Sequence, residues 1–231
     1  MKNRILVVSL ALMSVGLFAQ KDELKSAEKA LKNGDYKTAM AAVKSLDAME
    51  ASMDSKYKAK YYFLKGQAYS NSDLATAGDA FNKLLKFERE AKSTKYTAKA
   101  EPLLNSLIQK VSQRSIDLYN AKDFKNAIRA LVNVTKISDD SKYDYRIGQI
   151  YLQNSEYQNA IKFLDLARKK GWNTKPGSLE MLIGICYIEL DDFKNARIEL
   201  AKAANFGKEK DVEPWINYMD STESLRAAAA K

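Results

Sequence analysis

The 231-residue chain has no histidine, a single cysteine (Cys186), three prolines and nine glycines. Without histidine there can be no Ser-His-Asp triad, no imidazole metal ligand and no imidazole general base. One cysteine supplies neither an intramolecular disulfide nor a thiolate zinc cluster. So little proline and glycine argues against a turn-rich β fold and for long helices. The sequence also lacks a Walker-type phosphate loop, a GxGxxG turn opening a helix after a strand, and a GxSxG nucleophile elbow. The adjacent carboxylates Asp139–Asp140 and Asp191–Asp192 fall at expected helix boundaries, where capping explains them. A glycosidase pair would instead have to face each other across a bond. The expectation is a protein that is not an enzyme and needs neither cofactor nor metal.

What is present is ordinary for a folded chain: 46% apolar and 29% charged residues, too apolar for disorder. The net charge is +9, carried by 30 lysines and only 8 arginines. Nucleic-acid readers favour arginine forks and clustered basic stripes, whereas these lysines alternate with Asp and Glu along the whole chain. That pattern is a solvated helical surface, and no nucleic-acid partner is expected.

The first residues, MKNRILVVSLALMSVGLFAQ, place Lys2 and Arg4 before an apolar run from Ile5 to Phe18 that ends at Ala19. The run is short for a membrane span, which needs about 20 apolar residues. It has the length of a signal-peptide core ahead of a small residue, which predicts cleavage after Ala19 and a mature chain from Gln20. Removing Lys2 and Arg4 lowers the net charge from +9 to +7. The Phe-Ala-Gln ending resembles signal peptides of the Bacteroidetes, which implies a periplasmic or secreted protein with no stable membrane span after cleavage.

An internal repeat decides the fold class. Residues 147–167 and 183–203 align without a gap at an offset of 36, pairing Gly148 with Gly184, Tyr151 with Tyr187, Tyr157 with Phe193, Ala160 with Ala196, Leu164 with Leu200 and Ala167 with Ala203. Ile147, Gly148 and Tyr151 form one stripe of a first helix. Gly148, lacking a side chain, lets the second helix approach closely, at a helix-propensity cost of roughly 1 kcal/mol. Ser155, or Asp191 with Asp192, is expected to cap the second helix. Tyr157 or Phe193 then fills the gap between helices, and Ala160, Leu164 and Ala167 face inward.

Looser copies precede these. Ala27, Ala30, Gly34, Tyr36, Ala39, Val43 and Leu46 fit a first, and Ser115, Leu118, Phe124, Ala127, Leu131 and Val134 a third. Gly66, Tyr69, Ala77, Phe81 and Leu84 fit a second only if its turn is one residue shorter. An extra segment around Ser93 to Pro102 absorbs the longer spacing between copies two and three. The pattern resembles the tetratricopeptide repeat over residues 21–206. The resemblance implies an all-α helix-turn-helix solenoid of about five repeats, with the array over 20–211. Gly207 is expected to end a helix and Asp211 to start the next. Residues 212–231 then form a capping helix and tail, with Trp215, Ile216 and Met219 on one face.

The resemblance also implies a protein–protein interaction scaffold in the cell envelope, binding a peptide or protein along a groove lined by first helices. The alternative is a structural subunit of a larger envelope assembly. One step round from the packing stripe lie Ile116, Tyr119 and Asn120 in repeat three, Tyr145, Gln149, Leu152 and Gln153 in repeat four, and Met181, Ile185 and Ile188 in repeat five. In tetratricopeptide proteins the matching positions contact ligand. The Lys and Asn set of a carboxylate clamp is missing there, so an extended peptide held by amides and aromatics fits better than an acidic C-terminus. For Met181, Ile185 and Ile188 two placements stay open: the groove, or cover by the 212–230 helix. Cys186 reads as a packing residue, with a thiol that pairs with a partner as the alternative, and Trp172 as a packing residue, with aromatic ligand capture as the alternative.

Overall fold

The computed structural model describes residues 18–230, so the expected signal core lies outside the described residues apart from its last two positions. Those two, Phe18 and Ala19, are already helical and exposed, whereas Gln20 is buried. Among the described residues every regular element is helical. α1 covers 18–32, α2 Tyr36–Asp47, α3 Ser55–Tyr69, α4 Leu74–Glu90, α5 Thr97–Asn120 and α6 Phe124–Thr135. α7 covers Ser141–Gln153, α8 Tyr157–Lys169, α9 Ser178–Glu189, α10 Phe193–Ala203 and α11 Glu209–Ala229. The chain divides into two compact units, with Lys110 ending the first and Val111, within α5, opening the second.

Five helix pairs share one packing device. At the point of closest approach the first helix carries Ala27, Gly66, Ser115, Gly148 or Gly184, all buried. A Cβ on Gly148 would lie 2.6 Å from Leu164 Cγ and 3.2 Å from the Ala160 carbonyl, and one on Gly184 would lie 2.8 Å from Leu200. On Gly66 it would meet the Phe81 ring at 2.5 Å. Ser115 uses the same space differently: its hydroxyl donates to the Ala127 carbonyl at 3.0 Å, which satisfies a hydroxyl that is 2% exposed. From Gly148 to Leu164 and from Gly184 to Leu200 is sixteen residues, from Gly66 to Phe81 fifteen. The second copy therefore has the shorter turn that its sequence demanded.

The turns repeat as well. In four pairs the first helix ends in a Schellman motif whose last residue is also the N-cap position of the second helix. The bonds are Asp35 N to Ala30 O, Asp123 N to Leu118 O, Glu156 N to Tyr151 O and Asp192 N to Tyr187 O, at 2.8–2.9 Å. The residue before each is left-handed: Gly34, Lys122, Ser155 and Asp191. Ser155 and Asp191 are thus turn residues rather than caps, contrary to expectation. Asp192 caps by accepting from Asn195 N at 3.1 Å. Glu156 caps no backbone group and instead ties Asn154 to Asn159 through its two oxygens.

The surplus before α5 is used by a buried acid. Glu88, 1% exposed, accepts from the backbone N–H groups of Tyr96 and Thr97 at 2.9–3.1 Å and from the Thr97 hydroxyl at 2.7 Å. It closes the α4–α5 connection and satisfies the otherwise orphaned first amides of α5.

The end of the second unit differs in detail from its reading. Gly207 is left-handed as expected, but α11 already begins at Glu209. Asp211 lies in its first turn, ion-paired with Lys208 at 3.1 Å, and is not the cap. Val212 and Met219 are buried against Ile188, Phe193, Ala196, Leu200 and Ala203, with Trp215 and Ile216 half-buried beside them. α11 therefore covers the last apolar face. No helix among the described residues is long and apolar enough to cross a membrane.

Candidate functional site

In the second unit the end of α5, α7, the α8–α9 connection and α9 enclose two clefts that share Arg146 and Gln149. The first, about 400 Å³, is lined by Ser112, Ile116, Tyr145, Arg146, Gln149 and Trp172, with Lys142 and Lys175 at its rim. The second, about 360 Å³, is lined by Tyr119, Arg146, Gln149, Leu152, Gln153 and Leu182.

The α8 terminus positions the floor of the first cleft. Gly171, at φ 81°, ends the helix with Trp172 N donating to Ala167 O at 3.0 Å. This turns the indole back onto α7, where it stacks on Tyr145 with centroids 4.2 Å apart and planes at 13°. The Tyr145 hydroxyl reaches Ser178 at 3.4 Å. The indole Nε1 is buried with no hydrogen-bond partner among the described residues. Trp172 thus packs as the sequence suggested and also lines the cleft, the position that its alternative reading as a ligand-facing aromatic requires.

Between the clefts stands Arg146, exposed, with its guanidinium 5.2 Å from the centre of the Tyr119 ring. Tyr119 donates its hydroxyl proton to the Gln153 side-chain oxygen, joining α5 to α7. Neither cleft has an Asp or Glu in its lining.

Six of the ten residues expected at the groove come together here: Ile116, Tyr119, Tyr145, Gln149, Leu152 and Gln153. Tyr145 needs a correction, because it is 8% exposed rather than a free groove side chain, held by Trp172. Asn120 is exposed at the end of α5 and lines neither cleft. Ile188 is buried in the cluster with Val212 and Met219, and Met181 packs against that cluster, so α11 takes both out of the groove. Ile185 is half-buried and lines neither cleft, while its neighbour Leu182 does. Arg146, Lys142 and Lys175 were missed, and Trp172 was named without being placed in the groove. Arg146 follows Tyr145 directly on α7, and helical spacing would have admitted it.

Cys186 offers no reactive thiol. It is fully buried in the α7–α9 core, and burial, with Glu189 adding to it, pushes the thiol up to about 12.

No family model matches the chain, and no curated protein does. Among solved structures it is similar to MamA of strain AMB-1, at 12% identity and TM-score 0.40, covering 83% of this chain and 99% of that one. It is likewise similar to MamA from Desulfovibrio magneticus RS-1, at 18% identity and TM-score 0.35, covering 84% and 97%. The TPR2AB domain of yeast Sti1 in its pHSP90 complex is similar at 16% identity and TM-score 0.35, covering 84% of this chain and 83% of that one. At such scores these likenesses carry no functional argument. The all-α helix-pair fold stands on the five pairs themselves.

Proposed function

We propose that the protein is a non-enzymatic interaction scaffold of the cell envelope, exported by its N-terminal segment, and that the joined clefts of the second unit bind an extended peptide or protein segment. One observation carries the reading: a continuous concave surface offers a Tyr–Trp stack, exposed aliphatic area at Ile116, and the amides of Gln149 and Gln153. This mixture suits a peptide, whose backbone pairs with amides while its side chains bury against rings. The lining holds no carboxylate that could act as an acid or base beside a nucleophile.

The test is affinity capture from envelope extract in mild detergent, comparing wild type with the Ile116→Ala/Gln149→Ala double variant. Both positions lie at the cleft surface, so folding should change by about 0.5 kcal/mol or less per site. The double variant is expected to keep its melting temperature and lose the captured partner. Equal capture by both proteins would refute the groove. Recovery of a single large complex with fixed stoichiometry, unaffected by the substitutions, would favour a structural subunit.

A further inference from the structure

The first unit has a cleft that the reading above does not use. It measures about 510 Å³ and is lined by Glu28, Leu31 and Lys32 of α1, Lys60, Phe63, Leu64 and Gln67 of α3, and Lys95, Tyr96 and Lys99 at the start of α5. These are again the first helices of their pairs. The floor is aromatic and aliphatic, with Phe63 and Tyr96 at 5.2 Å between centroids and both half-buried. The walls carry four lysines against one glutamate.

That glutamate is already engaged. Glu28 accepts Lys60 at 2.5 Å and Lys32 at 3.3 Å. The other nearby acid, Glu88, is buried and committed to the amides of Tyr96 and Thr97. Lys95 and Lys99 are exposed, and no carboxylate among the described residues lies within ion-pair distance of either. Lys95 only leans over the Tyr96 ring, at 5.6 Å from its centre. A concave surface lined with unneutralised charge of one sign focuses its field and selects ligands of the other sign.

We infer that this cleft is a second binding site, for an acidic peptide segment whose side-chain carboxylates meet Lys95 and Lys99 while an aromatic or aliphatic side chain lies on Phe63 and Tyr96. Charge decides the occupant. A second copy, at net charge +9, or +7 after the expected cleavage, is repelled as a whole. Lysines act as point charges without a planar fork, so the site recognises carboxylates by sign and spacing rather than by paired geometry.

The experiment uses the full chain and a fluorescein-labelled, C-terminally amidated peptide of alternating Glu and Leu with a central Phe, followed by anisotropy. The comparison peptide replaces every Glu by Gln. Binding of the Glu peptide only, weakened roughly tenfold by Lys95→Glu/Lys99→Glu and less than twofold by Lys125→Glu/Lys162→Glu in the other unit, is the expected result. Circular dichroism checks that both variants fold, and Lys95→Gln/Lys99→Gln should fall between wild type and the reversal. Equal losses in both reversed variants would mean general attraction to a basic protein and would overturn the site. So would equal binding of the Gln peptide. Heparin binding through Lys95 and Lys99 without peptide binding would overturn it too, since the ligand would then be a sulfated polysaccharide. The outcome is independent of Ile116 and Gln149, so this site and the groove of the second unit can fail separately.

Discussion

The first helices of the two units both present basic clefts over aromatic rings, but with different make-up: lysines dominate in the first, while a ring stack and side-chain amides with fewer cations do so in the second. In the first unit, α1, α3 and the start of α5 enclose an aromatic floor ringed by lysines. In the second, the end of α5 with α7 and α9 builds a Tyr–Trp stack with amides and one arginine between clefts. Packing cannot explain the difference, because the position of closest approach is equally small and buried in both: Ala27 and Gly66 in one, Ser115, Gly148 and Gly184 in the other. One stripe of each first helix is spent on its partner helix. The neighbouring stripe is left to carry ligand chemistry, and that is where the units diverge.

The comparison breaks most severely if the shared stripe is touched. Gly148→Val is expected to destabilise the second unit by about 3 kcal/mol, because Leu164 and the Ala160 carbonyl leave no room for a branched side chain. Gly66→Ala should cost about 1–3 kcal/mol in the first unit, reduced where the Phe81 ring can tilt. Urea unfolding of each variant measures both, and no loss for Gly148→Val would mean the pairs are less tightly packed than described.

Trp172→Ala comes next. It removes the ring stacked on Tyr145 and should cost about 2–3 kcal/mol while abolishing capture at the second unit's groove and leaving acidic-peptide binding at the first unit intact. Parallel melting and anisotropy measurements separate these effects.

Smaller again is the turn. Ser155 stands in the left-handed region at φ 59°, where Gly34 holds the same place in the first pair. Ser155→Gly should therefore stabilise by about 0.5–1 kcal/mol, and Gly34→Ala should destabilise by a similar amount. Chemical denaturation would show the opposite signs.

The acid side of the stability profile gives the smallest effect. Hydrogen bonds from Thr38, Asn126 and Asn195 hold the Asp35, Asp123 and Asp192 carboxyls below their ordinary value of 3.8. A carboxyl lowered in the folded state contributes stability above its unfolded value and loses it as pH falls further. Melting temperature should therefore decline on acidification below about pH 4, and Asp123→Asn should flatten that decline slightly.

Much of this was legible in the sequence, for physical reasons. The near-identical copies at 147–167 and 183–203 revealed the helix pairs because close helix approach tolerates few residue types. The missing turn residue in the second copy showed as a fifteen-residue spacing. Six groove residues followed from taking one step round the helix. Other features were hidden because they depend on tertiary placement. Cover of Met181 and Ile188 by the last helix was one of two placements the sequence left open, and tertiary packing decides between them, while nothing in the sequence says that Trp172 would lie on Tyr145. The capping oxygen was assigned to Ser155, one residue early, because Ser is a common cap and its left-handed backbone is invisible in a sequence. Glu88 reads as a surface acid until the α4–α5 connection folds over it.

The central claim is that the second unit's partner lies against α7 between Arg146 and Gln149. Site-specific incorporation of a photoreactive benzophenone residue at Gln149, and at the exposed outer position Lys162 of α8, tests it in the living source cell. The account predicts a discrete crosslinked adduct from position 149 and none from 162. Adducts of equal yield from both positions, or one from 162 alone, would contradict it.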